Sequence, residues 1–282
     1  MTSGHMAQTA TSAALALAVG LIASGTVKAE DCSQATDFLT LSLSEAGSSM
    51  QKALELAYPG LSANEGTITV PGGKTIAIEP ARQVSPAERL ENATIGDMFT
   101  YIYPISFEFE KRKAPFYDPG RVRNEPFFRA VFFNSKNETQ KSLTTVKYKG
   151  RKVSASFHVS KKYCIHTQLK AALDEIASAG SYDKFFQKTG GSFAWRTISG
   201  TKRLSSHSFG SAVDINSQLG KYWKWAGVKP GHAARYDNAI PEGIVKAFER
   251  RGFIWGGKWH HFDGMHFEYR PELILYSRMV GG

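Results

Sequence analysis

Apolar positions recur with a helical period in some stretches of the chain and alternate in others. Over residues 166–179, Leu169, Leu173 and Ile176 recur at steps of four and three, and Gly180 supplies a stop, which predicts a helix. Over 241–251, Ile244, Val245 and Phe248 share a face, Pro241 suits a first turn and Gly252 ends the run. Pro271 opens a last helix carrying Leu273, Ile274, Leu275 and Met279, and residues 33–58 read as a helix ended by Pro59-Gly60. Residues 67–70 and 75–78 flank Pro71-Gly72-Gly73 and predict a hairpin. Residues 147–159 alternate around Lys149-Gly150, and the stretches 192–198, 210–216 and 264–269 are strand-like. Residues 127–133 read as a buried strand or helix, and Pro104 argues against a central strand over 98–109.

This order of elements predicts an α+β fold, a small antiparallel sheet with helices packed on it, over residues 141–282. A less regular accessory region is expected over 30–140. No internal repeat or low-complexity tract breaks the chain.

Two of the alternating stretches carry chemistry. In the first, Val213 and Ile215 face the core, which turns Asp214 to the opposite, polar side, and His207 sits in the loop feeding that strand. Gly210 lets the loop turn without a Cβ penalty. In the second, Met265, Phe267 and Tyr269 are expected on one face and His266 and Glu268 on the other, with Asp263 just before the strand. Two imidazoles and a carboxylate are what a catalytic zinc site uses as its three protein ligands. A further carboxylate beside them is what a general base requires.

The motif Ser205-Ser206-His207-Ser208-Phe209-Gly210-Ser211-Ala212-Val213-Asp214, followed by Asp263-Gly264-Met265-His266-Phe267, resembles the D-alanyl-D-alanine carboxypeptidase family of zinc peptidases. That family includes L-alanyl-D-glutamate endopeptidases and sits in the lysostaphin, carboxypeptidase and hedgehog-like group. The resemblance covers the last third of the chain, with a looser likeness at Asp118-Pro119-Gly120-Arg121-Val122-Arg123. It implies Zn2+ on His207, Asp214 and His266, with Asp263 as the base. It also implies an oxyanion-stabilising arginine upstream of the motif, for which the candidates are Arg196 and Arg203. Arg196 is preferred because a strand-like run would project it rigidly; either arginine also suits a substrate carboxylate. Ser205, Trp259 and His261 are candidates for substrate contact. Glu268 is expected to hold a ligand in its tautomer. Arg121 and Arg123 are read as structural.

Composition then narrows the setting. The chain has 282 residues, 42% of them hydrophobic, and a formal net charge of +10, which suits an anionic partner. No long Lys/Arg run marks a nucleic-acid tail; Lys111-Arg112-Lys113 reads as a solvated turn. Residues 13–24 form a small apolar run too short to span a membrane, and Val27-Lys28-Ala29 fits signal-peptidase cleavage after Ala29, although the positive n-region is missing. A periplasmic or secreted bacterial enzyme is therefore expected, with peptidoglycan stem peptides as substrate and no stable membrane span after cleavage. The two cysteines, Cys32 and Cys164, are compatible with one disulfide or with two free thiols.

Overall fold

The computed structural model describes residues 1–2, 31–43, 48–64 and 66–281. The expected signal segment falls almost wholly outside them. Helix α1, Ser49–Ala57, is followed by the short strands β1, Ser62–Asn64, β2, Thr67–Thr69, and β3, Thr75–Ala77. These form an antiparallel three-stranded sheet, so the expected hairpin is present with an extra edge strand. Helices α2, Pro86–Glu91, α3, Glu125–Val131, and α4, Lys136–Ser142, lead to a long hairpin of β4, Leu143–Lys149, and β5, Ser154–Ser160. Helix α5, Ile165–Ser178, precedes strand β6, Thr189–Gly191. The rest comprises β7, Ala212–Asn216, α6, Ser217–Gly220, α7, Glu242–Arg250, β8, Phe253–Trp255, β9, His266–Tyr269, and α8, Pro271–Val280. The fold is α+β.

Two expectations change. Among the described residues of the helix expected over 33–58, only 49–57 are helical. Leu39, Leu41 and Leu43 are spaced by two, not by a helical step. There the chain runs irregularly, with Phe38 buried against Tyr269 and its N–H bonded to Arg250 O at 2.7 Å. The run 192–198 is not a regular strand; one bridge joins Thr197 to Leu204. Of the two readings left for residues 127–133, the helix holds over 127–131: they belong to α3, whose first turn is capped by Asn124 Oδ1 accepting from Phe127 N at 2.7 Å.

The sheet that carries the site has the order β6-β7-β9-β8, antiparallel throughout. Helix α7 covers it, with Phe248 stacked on Phe267 at 4.0 Å between ring centroids. One apolar core runs from Phe38 and Leu54 through Phe128, Leu169 and Phe248 to Leu275, so packing is continuous across residues 140 and 141. Tyr58 donates to Glu272 and Tyr103 to Glu249, each at 2.7 Å, across the same boundary. A disulfide joins Cys32 to Cys164, closing a loop long enough to restrict the unfolded chain. No described helix is long and apolar enough to cross a membrane.

Candidate metal centre

The register of the central strand pair builds most of the site. Asp214 on β7 lies directly opposite His266 on β9, so the two side chains leave the sheet on the same face. Their neighbours Val213 and Phe267 are paired and fully buried beneath them. On the other edge of β7, Gly190 lets the chain entering β6 come close. A Cβ there would lie 2.8 Å from Asp214 Cβ. His207 arrives from the short 3-10 turn Ser206–Phe209, which ends at Gly210 with φ +63. A side chain at Gly210 would be strained by that φ and would press on Ser160 N at 3.0 Å.

These elements bring three donors together. His207 Nε2 is 3.2 Å from Asp214 Oδ2 and 3.2 Å from His266 Nδ1, and His266 Nδ1 is 2.9 Å from Asp214 Oδ1. All three ligand atoms lie within 4.8 Å of one another. The far side of each ring is occupied. His207 Nδ1 faces Ser192 O, and His266 Nε2 faces Glu268 Oε2 at 3.1 Å and Ser206 Oγ at 3.2 Å. A proton on each outer nitrogen satisfies those acceptors and leaves a lone pair on each inner nitrogen, aimed at the Asp214 carboxylate. Lone pairs converging in this way call for a cation, so the donor set fits a metal ion.

A proton competes for the same lone pairs. Burial works against charge on His266, but hydrogen bonds to Asp214 and Glu268 outweigh it and raise its pKa to about 10. Burial likewise works against the Asp214 anion, yet His207 and His266 hold it well below the usual carboxylate range. An ion entering here displaces a proton.

Asp263 lines the same cleft. Burial and the neighbouring Asp214 push its carboxyl up to about 6, although His266, Arg121 and His207 pull the other way. Its Oδ1 is buried with no hydrogen-bond partner among the described residues. A buried, unpartnered carboxylate oxygen beside a metal-ligand cluster is placed to take a proton.

Residues 199–269 match the family model for D-alanyl-D-alanine carboxypeptidase. The match covers about a quarter of the chain and contains His207, Asp214, Asp263 and His266. It supports a peptidase of the D-alanyl-D-alanine carboxypeptidase type at family level. No curated protein and no solved structure matches the chain.

The cleft around these groups has a volume of about 430 Å³, and several candidate residues reach it. Arg196, upstream of the D-alanyl-D-alanine carboxypeptidase match, lies on its wall, exposed. No hydrogen bond or ion pair engages its guanidinium among the described residues. Its backbone is fixed by Ser208 rather than by a strand: Arg196 N donates to Ser208 Oγ, and Ser208 Oγ to Arg196 O, both at 3.0 Å. Arg203 also reaches the cleft but is committed, to Glu91 at 3.3 Å and to Arg121 O at 3.0 Å. Ser205 is buried and starts the His207 turn; its N–H donates to Arg196 O at 3.0 Å. Trp259 is buried with its face under the Arg121 guanidinium, 4.6 Å from the ring centroid.

His261 is not brought to the cleft. Its Nδ1 meets Asp118 Oδ2 at 2.6 Å and its Nε2 accepts from Gly231 N at 2.8 Å, so both ring nitrogens are spent on structure. His260 is spent likewise, between Arg112 O at 2.9 Å and Ala233 N at 3.0 Å. Met265, expected on the core face, instead lines the cleft, because β9 begins only at His266. Gly264 serves close packing: a Cβ would lie 2.0 Å from Gly220 O. Arg112 is no solvated turn residue but is buried, donating to the carbonyls of Trp259, Ala234, Ala233 and His260.

Sequence reasoning missed Gly190 and Tyr222, and read Arg121 and Arg123 as structural only. Arg123 is both: it lines the cleft and pairs with Glu268 at 3.0 Å. The Asp-Pro-Gly-Arg stretch was the available signal for Arg121; nothing local marks Gly190 or Tyr222.

Proposed function

We propose that this chain is a zinc-dependent peptidase that hydrolyses amide bonds in peptidoglycan stem peptides, acting in the periplasm or outside the cell. The observation that carries the reading is the convergence of His207, Asp214 and His266 beside the unpartnered carboxylate of Asp263. His207, Asp214 and His266 would hold the zinc. When bound, zinc supplies Lewis acidity towards the scissile carbonyl and a readily ionised water.

The chain's own groups do the rest. Asp263 accepts a proton from the attacking water and returns it to the leaving amine. Arg196, whose guanidinium has no hydrogen bond or ion pair among the described residues, neutralises charge that develops on the carbonyl oxygen or grips a substrate carboxylate. Glu268 keeps the outer nitrogen of His266 protonated, and Ser192 O does the same for His207. Trp259 and Met265 give the cleft apolar wall, which strengthens the electrostatic contacts inside it. The net charge of +10 suits stems rich in free carboxylates.

Zinc-loaded protein incubated with purified muropeptides and read by mass spectrometry tests this. Masses shifted by hydrolysis are expected. Unchanged masses with zinc bound would leave a zinc-bearing wall-binding protein, and no zinc bound would remove the metal reading.

A further inference from the structure

The positive charge of the chain is not spread evenly. Residues 139–173 hold eight Lys and Arg and no Asp or Glu, in a chain with 35 basic and 25 acidic side chains. The hairpin of β4 and β5 lies inside that stretch, and its ladder decides where the charges point. Val146, Tyr148, Phe157 and Val159 are buried on the inner face. Alternation then sends Lys147 and Lys149 outward, opposite Ser156 and Ser154, with all four exposed. The two lysines stand about 7 Å apart along β4. Arg151 and Lys152 are exposed at the turn.

These cations are left uncompensated. Among the described residues no carboxylate forms an ion pair with Lys147, Lys149 or Lys152. The carboxylate that does reach the turn, Asp183, is spent on holding it, accepting from Tyr148 Oη at 2.8 Å and from Lys152 N at 2.6 Å. Solubility is served by charges of both signs interspersed. A face of one sign repels itself until an anionic partner covers it.

The face also leads to the metal cleft. Residues 183–192 run along the hairpin from its turn towards its other end. Asp183 binds at Lys152, Phe186 stacks on Tyr148 at 3.8 Å between ring centroids, and Ser192 Oγ accepts from His158 N at 2.7 Å. That run carries exposed Lys184 and Lys188. It then passes through Gly190, which lines the cleft, to Ser192, whose carbonyl faces His207.

A fixed row of cations with hydroxyls between them suits an extended polymer with repeating anions. The outward positions of the hairpin carry no Trp, Tyr or Phe on which a base could stack, and no apolar side chain to enter a bilayer. Resting on the peptidase reading above, we propose that this face is an exosite for polymeric peptidoglycan, gripping the carboxylates of stems that are not in the cleft.

Co-sedimentation of the zinc-loaded Asp263→Asn protein with insoluble peptidoglycan, freed of phosphate polymers, tests it. Replacing Lys147, Lys149, Arg151 and Lys152 together by Gln in that protein should weaken binding about tenfold or more at low salt. The difference should vanish at about 1 M salt, where screening acts over about 3 Å, and when the carboxylates of the polymer are amidated. With Asp263 intact, the fourfold variant should lose rate on insoluble peptidoglycan and keep kcat/KM on soluble muropeptides within about twofold. Equal sedimentation of the two proteins, or a difference that survives amidation, would overturn the proposal. So would tighter hairpin-dependent binding to anionic vesicles, RNA or phosphate polymer than to peptidoglycan. An equal loss of rate on soluble muropeptides would put these cations in the cleft and overturn the exosite. Hairpin-dependent sedimentation, with muropeptides left uncut by the unmutated protein, would keep the exosite and remove the peptidase reading.

Discussion

Glu268 Oε2 lies 3.1 Å from His266 Nε2, on the edge of the ring opposite the nitrogen that faces Asp214. The same carboxylate is clamped by Arg123 at 3.0 Å and Arg270 at 3.2 Å, both buried. Burial lowers the Arg123 pKa to about 10, which still leaves it cationic at neutral pH. Arginines from outside the strand thus aim a ligand ring. Glu268→Ala is expected to weaken zinc affinity by about 10- to 100-fold, with Glu268→Gln recovering part of the loss as a remaining acceptor. Arg123→Met should weaken it in the same direction by freeing Glu268. Competition against a chromogenic chelator measures all three; affinities equal to wild type would show that Glu268 does not position the ring.

Asp263 sets the expected pH profile. Its carboxyl is pushed up to about 6 chiefly by burial. A base works only when ionised, so activity falls as pH drops through its pKa and the proton is retained. A bound dication adds positive charge nearby and moves that acidic limb to about 6 or below. Asp263→Asn should cost about 10²- to 10⁴-fold in kcat, retain its zinc and lose the limb. A profile of kcat/KM between pH 4 and pH 8, with metal content measured in parallel, checks this; an unchanged limb in the variant would move the base elsewhere.

The three donors that could hold a metal were legible because strand alternation and loop chemistry act locally: Val213 and Ile215 point inward, so Asp214 points out. The partners that finish the site were not, because they come from far away. His261 sits next to the motif and looked available, yet its ring is consumed by Asp118, which lies 143 residues earlier. Arg123 reaches Glu268 over 145 residues. Residues 192–198 carried a strand's composition, but their hydrogen bonds go to the Ser208 hydroxyl and the His207 turn, so they position Arg196 without a ladder. Strand β8 is three residues long, too short for any period to declare itself.

Gly190 tests how tightly the second edge of β7 is built. Its hydrogen faces Asp214, and a methyl group there would lie 2.8 Å from Asp214 Cβ and 3.4 Å from Oδ2. Asp214 Cβ is fixed to its strand, so relief comes from a backbone shift of β6 against β7 that carries Asp214 with it. Gly190→Ala is expected to weaken zinc binding about tenfold or more while thermal unfolding shifts by only a few degrees. Cobalt substitution gives an independent readout, as its absorption bands follow ligand geometry; unaltered bands in the variant would show that Asp214 is not displaced.

Arg112 carries a prediction about stability instead of metal. Arg112 is 3% exposed, and its guanidinium has four carbonyl acceptors: Trp259 O at 2.9 Å, Ala234 O and Ala233 O each at 2.7 Å, and His260 O at 3.0 Å. It also lies over the rings of Tyr236 and Phe262, 5.2 and 5.6 Å from their centroids. These bonds tie the loop at 233–234 to the segment that leads into Asp263. Burial lowers the Arg112 pKa, but five donors on a planar fork are needed to reach separate carbonyls, and an ammonium cannot span them. Arg112→Lys should therefore behave nearly as badly as Arg112→Met, each costing about 2–5 kcal/mol as carbonyls are left unsatisfied in a buried place. Urea unfolding of the two variants measures it. A lysine variant as stable as wild type would show that charge alone, and not the fork, holds the loop.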